Sequence, residues 1–132
     1  FQNHARNGSQ VISPGDILVI EGTLILTSPA IRSRMDWAVF LDAPDALRFE
    51  RRLRRDQMER GRMASDIRLQ YERTVRPMYE EFIEPSKSAA DCVLDGSPPC
   101  EEVVFRFQQE LNRRFSWMND PPPDSFSPVP PR

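Results

Sequence analysis

Arg48-Phe49-Glu50-Arg51-Arg52-Leu53-Arg54-Arg55-Asp56-Gln57-Met58-Glu59-Arg60-Gly61-Arg62 places seven arginines within fifteen residues of a chain whose net charge is −2. At about 100° per residue on a helix, Arg48, Arg51, Arg52 and Arg55 fall within an arc of roughly 100°. Ala46, Phe49 and Leu53 lie on a different face, able to anchor the helix to a core. Like charges three and four residues apart each cost roughly 0.2–0.5 kcal/mol, so a helix carrying several such pairs is suited to holding an anion. The planar guanidinium matches phosphate oxygens bidentately. Of the 18 basic residues only Lys87 is not Arg. The competing reading is a solvated charged face balanced by Glu50, Asp56 and Glu59.

A second candidate is a lone carboxylate. Ile17-Leu18-Val19-Ile20 is a continuous apolar run after Pro14-Gly15-Asp16, and Glu21-Gly22 follows it. Such a run reads as a strand buried on both faces, as in a parallel sheet. A carboxylate at the carboxyl end of that strand lies where open α/β sheets bind ligands, and it can hold Mg²⁺ directly or through water. Alone, Glu21 could equally begin a loop. His4 is the single histidine and stands in a polar, loop-like start. A lone loop histidine is ordinarily a surface residue.

The elements that would position these groups follow in order. Ser28-Pro29 starts a short helix to about Met35, with Ser28 as N-cap. Trp37–Leu41 is a second apolar strand, closed by Asp42-Ala43-Pro44. The arginine helix runs from about Pro44 to Glu59 and breaks at Gly61. A further helix spans about Ser65 to Ile83, with Ile67, Tyr71, Val75, Met78 and Phe82 as a buried stripe. Pro77 should kink or interrupt it, and Glu84-Pro85 closes it. Ala90–Leu94 is a third strand and Glu101–Arg113 a last amphipathic helix. Strands alternating with helices at this spacing argue for α/β units around a parallel sheet. From Phe115 onward six prolines stand between Pro121 and Arg132, the signature of a disordered or polyproline II tail.

Composition sets limits. The 132 residues suffice for one domain, and 39% apolar content allows a modest core. Cys92 and Cys100 make no C-x-x-C pair and no His/Cys cluster exists for zinc, so reduced cytosolic thiols are expected. No apolar run approaches the length of a membrane span. A faintly acidic total with poor aromatic interleaving argues against nucleic-acid binding. Phe1 reads as the middle of something longer, so the chain is expected to be a fragment.

Together these features suit phosphoryl transfer, which depends on positioning and on neutralising the moving group. Yet G-x-x-x-x-G-K-[ST] is absent, and no Gly-Lys pair occurs. The residues Ile17–Leu24, Phe40-Leu41-Asp42, Arg51–Asp56 and Glu59-Arg60-Gly61-Arg62 resemble the C-terminal half of the uridine (uridine-cytidine) kinases. Gln70-Tyr71, Val75–Met78, Glu81–Lys87 and Ala90-Asp91 extend the likeness, which covers about residues 1–96. It implies a partial P-loop kinase of three-layer α/β fold, with a parallel sheet and an Arg-rich helical lid at about 48–64, occupying residues 1–113. The tail would then take 114–132. It also implies a cytoplasmic enzyme of pyrimidine salvage that moves the ATP γ-phosphate to the 5′-hydroxyl of uridine or cytidine.

By that resemblance Glu21 matches the carboxylate associated with Mg²⁺. Arg55 and Arg60 match lid arginines on the ATP phosphates, the catalytic pair. Arg52 and Arg62 match lid arginines that contact the nucleoside, as does Gln70, while His4 and Phe1 match residues at the base. The departures are large: the P-loop and the general-base Asp are expected upstream of Phe1, and Thr23-Leu24-Ile25-Leu26 replaces the more usual Ile-Leu-Ala-Phe. Alternatives are a non-catalytic kinase-like module binding a nucleotide or a partner, and a related kinase of another small alcohol. Self-association stays open.

Overall fold

The structure is a computed structural model that describes residues 17–115. Its centre is a pair of parallel strands, β1 (Val39–Asp42) and β2 (Cys92–Asp95), in the register Val39↔Cys92 to Asp42↔Asp95. The pairing is locked at both ends. The Ala38 N–H donates to Asp91 Oδ2 and the Asp91 N–H to Ala38 O, each at 2.8 Å. At the far end the Gly96 N–H donates to Asp42 O at 2.6 Å. A Cβ on Gly96 would lie 2.9 Å from that same oxygen, so the approach admits no side chain.

The core gathers Leu26, Ala38, Phe40 and Ile83, with Ile25, Met35, Tyr79 and Ala90 packed against it. Trp37 stacks on Phe107 at 5.5 Å between ring centroids and meets Phe115 edge-on at 6.1 Å, which seats the last helix (Cys100–Arg114). Among the described residues, no helix is long and apolar enough to cross a membrane.

The expected strand at Ile17–Ile20 is not one. These residues form no ladder, and all four are more than half exposed, Val19 to 76%. Apolar residues favour a strand only where a neighbour offers backbone partners, and among the described residues the sheet consists of β1 and β2. The Ser28-Pro29 helix is also shorter than expected. It spans Pro29–Arg32, and the Ser28 hydroxyl does not cap it.

The arginine helix, the expected lid, runs Asp45–Arg60 and ends at Gly61, whose φ of 60° and ψ of 25° are the left-handed values that glycine adopts without penalty. Beyond it, helical structure is continuous from 64 to 86, through Pro77. Two turns, Tyr71–Val75 and Tyr79–Ile83, are widened to π-type. The Arg76 N–H reaches back to Tyr71 O and the Glu84 N–H to Tyr79 O, and a proline follows each donor. The wide turns thus bring the chain past Pro77 and Pro85, where an α-turn would press the ring on a carbonyl four residues back.

The same widening corrects the expected stripe. The inward residues are Ile67, Tyr71, Val75, Tyr79 and Ile83, four apart throughout, whereas Met78 and Phe82 are 48% and 41% exposed. An α-helix at 3.6 residues per turn would drift off a four-residue repeat, and π turns restore the alignment.

Candidate functional site

The lid helix is tied to the body by two of its own arginines. Arg48 donates from Nη1 to Ala43 O at 2.8 Å, pairs through Nη2 with Asp45 Oδ1 at 3.2 Å, and lies 3.5 Å from the centroid of the Tyr79 ring. Arg51 donates to Gly96 O at 2.8 Å and to Ser97 O at 3.3 Å. The four-arginine arc therefore divides: Arg48 and Arg51 serve carbonyls left at strand and loop ends, and Arg52 and Arg55 point elsewhere. Phe49 contributes to the anchor by packing on Tyr71 with ring centroids 4.9 Å apart. Ala46, expected on the anchoring face, is exposed, because the helix is held by the longer side chains beside it.

At the base of the lid, the Tyr71 hydroxyl donates to Asp45 Oδ1 at 2.7 Å and Arg76 pairs with Asp45 Oδ2 at 2.8 Å. The Tyr71 hydrogen bond, then Arg76 and Arg48, hold the Asp45 carboxyl below its ordinary value against the opposing effect of burial. Burial pushes the Tyr79 hydroxyl up to about 12.

The other end of the helix holds the charge cluster. Asp56 is completely buried. Arg55 donates to its Oδ1 from Nε and Nη2, both at 3.0 Å, and Arg60 Nη1 stands 3.4 Å from that oxygen. Oδ2 faces Arg62 Nη1 at 3.4 Å and Arg52 Nε at 3.7 Å. Burial raises the Asp56 carboxyl, but the hydrogen bond from Arg55 and the charges of Arg52 and Arg60 outweigh it and leave it an ionised acceptor. Gln70 Oε1 completes the group, accepting from Arg62 at 2.9 Å and from Arg52 at 3.3 Å.

Five of the expected site residues (Arg52, Arg55, Arg60, Arg62 and Gln70) are thus in one place. They differ in access. The side chains of Arg60 and Arg55 are 55% and 46% exposed, those of Arg62 and Arg52 only 32% and 23%. The two open arginines have donors free for an anion, and the two deeper ones lie against an amide. Asp56, read from sequence as one of three balancing acids, is the hub instead. Its signal was the spacing Arg52, Asp56, Arg60, two successive i,i+4 pairs. Glu50 and Glu59 remain exposed.

Glu21 lies apart from this cluster. It is exposed and lines a cavity of about 400 Å³ beside β1, which Tyr79 and Ser86 also line. Among the described residues no group of three or more His, Cys, Asp or Glu is assembled to hold a metal. A single carboxylate still suits Mg²⁺ that keeps waters and binds a substrate's phosphates. Phe1 and His4 lie outside the described residues.

Residues 1–103 match the phosphoribulokinase/uridine kinase family. The chain belongs to that family. It is 45% identical over 95 residues to the uridine kinases of Shewanella halifaxensis and Shewanella piezotolerans, covering 71% of this chain and 45% of each relative. With the uridine kinase of Lactobacillus helveticus it shares 44% identity over 118 residues, 86% of this chain and 56% of the relative. The chain thus spans about half the length of the curated relatives it matches. The parallel pair β1–β2 with helices around it is part of an α/β kinase fold.

Proposed function

We propose that the chain is the lid- and nucleoside-binding part of a uridine kinase-type phosphotransferase, moving the ATP γ-phosphate to the 5′-hydroxyl of uridine or cytidine in the cytosol. The observation that carries this reading is the meeting of Arg52, Arg55, Arg60, Arg62 and Gln70 in a member of this family. The exposed Arg55 and Arg60 take the ATP phosphates, where charge builds as the phosphoryl group moves. Arg52 and Arg62, oriented by the Gln70 amide oxygen, meet the nucleoside, whose ribose hydroxyls offer acceptors at that edge. His4 and Phe1 would read the base. Mg²⁺, held by Glu21 and phosphate oxygens, would neutralise charge on the triphosphate.

The test joins the chain to the segment of a uridine kinase it resembles that carries both G-x-x-x-x-G-K-[ST] and the general-base Asp. Uridine-dependent release of ADP is expected. Arg62→Lys in that protein should lower turnover by roughly 10²-fold, since an ammonium keeps the charge but loses the fork geometry. Its melting temperature should stay near that of the parent. No uridine-dependent turnover from the joined protein would reject the reading.

A further inference from the structure

We infer that Asp56 is the positioning residue of the lid: its buried carboxylate sets the spacing and facing of the four arginines, so that the two open ones, Arg55 and Arg60, meet an anion already arranged. The inference rests on the reading of the lid as a phosphate- and nucleoside-binding element. Asp56 makes contact along two routes. Its carboxylate meets Arg52, Arg55, Arg60 and Arg62, and its carbonyl oxygen accepts the Arg62 N–H at 3.2 Å after the chain reverses at Gly61. One residue thereby fixes both the backbone and the guanidinium of Arg62.

Two oxygens cannot satisfy four guanidiniums of five donors each, and this surplus is the point. Arg55 spends Nε and one Nη on Asp56, which leaves its other donors directed outward. The Arg52 Nε is buried, 3.7 Å from Oδ2, and has no hydrogen-bond partner. The carboxylate gathers the cations more tightly than their mutual repulsion would allow, without using up their donors. A charge-balancing role would need no burial, as the exposed Glu50 and Glu59 illustrate.

Two effects oppose one another on removal of this charge. Asp56→Asn makes the cluster more positive, and Coulomb attraction alone then predicts tighter anion binding. Loss of arrangement predicts weaker binding, because the arginines must be ordered when the anion arrives. The sign of the change separates them.

The experiment titrates inorganic tripolyphosphate into the full chain by calorimetry near physiological ionic strength, for the parent, Asp56→Asn and Asp56→Glu. The expected result is binding by the parent, about tenfold or greater weakening in Asp56→Asn, and an intermediate affinity in Asp56→Glu, which restores the charge one methylene away. In ¹⁵N spectra the Arg55 Nε–H signal should lose its protected position in Asp56→Asn. Equal or tighter binding by Asp56→Asn overturns the inference while leaving the phosphate-binding lid standing. A parent that binds no tripolyphosphate removes both. Should Asp56→Asn fail to fold, Asp56→Glu decides, and an affinity equal to the parent's overturns the inference.

Discussion

Asp45 shows how a single carboxylate can report on the lid's attachment. Tyr71, Arg76 and Arg48 hold it below its unfolded value of 3.8. Between that value and the lower folded one the unfolded chain binds more protons, so stability rises with pH across the interval. The contribution is complete above the unfolded value and is lost as pH falls through the folded one. Because 37% of the Asp45 side chain is exposed, solvent screens the pairs, and the effect should stay below about 1 kcal/mol. Acid unfolding followed by circular dichroism is expected to be steeper in the parent than in Asp45→Asn, which should be less stable at pH 7. Asp56 titrates in the same direction in both proteins, so the difference isolates Asp45. Superimposable acid transitions would detach Asp45 from the lid's anchoring.

Among the elements, the turn at Gly61 joins the lid helix to the path that returns Arg62 to Asp56. A Cβ at Gly61 would meet nothing within 4 Å, so Gly61→Ala introduces backbone strain without a clash. Left-handed backbone costs a non-glycine residue roughly 1–2 kcal/mol, which in a domain of this size lowers the melting temperature by several degrees. Thermal unfolding would check this, and a variant as stable as the parent would mean that the turn re-forms in another geometry. The position of this helix end was legible because glycine after a helical run has a local cause. β1, β2 and the last helix were legible for the same reason, as short apolar runs and a 3.6-residue rhythm act within their own segment. The Ile17–Ile20 strand was misread because strand formation depends on a partner that the segment does not contain. The inward stripe after Val75 was misread because the proline-linked π turns change the helical period itself. In the candidate site, the family resemblance named the arginines and Gln70, and the fold brings those residues together. The spacing Arg52, Asp56, Arg60 signalled the hub role of Asp56 only in part, because that role also depends on burial, which no pattern of charges states.

At the scale of the whole molecule, a sequence without G-x-x-x-x-G-K-[ST] limits what the chain should do alone. Its arginines converge on Asp56 at one end of the lid helix, while Arg48 and Arg51 fasten the helix to carbonyls at Ala43 and Gly96. The arginine helix is therefore a held, charged surface. Phosphoryl transfer needs the β- and γ-phosphates, the metal and the acceptor hydroxyl in line, and misplacement by about 1 Å can cost on the order of 10²-fold. The 132-residue sequence contains no G-x-x-x-x-G-K-[ST], the motif whose backbone nest and lysine would fix a triphosphate against these arginines. Arginines without a fixed triphosphate supply attraction but not alignment. The chain by itself should bind ATP or UTP weakly, with affinity falling as salt rises, since exposed charge pairs are screened over about 8–10 Å at physiological ionic strength. Its apolar segment at Ile17–Ile20 should also favour association at high concentration. A coupled ADP-release assay on the purified chain with uridine, ATP and Mg²⁺ is expected to show no turnover above the uncatalysed background. Robust uridine-dependent turnover there would mean that phosphate alignment comes from residues other than a P-loop and that the chain works by a different catalytic design.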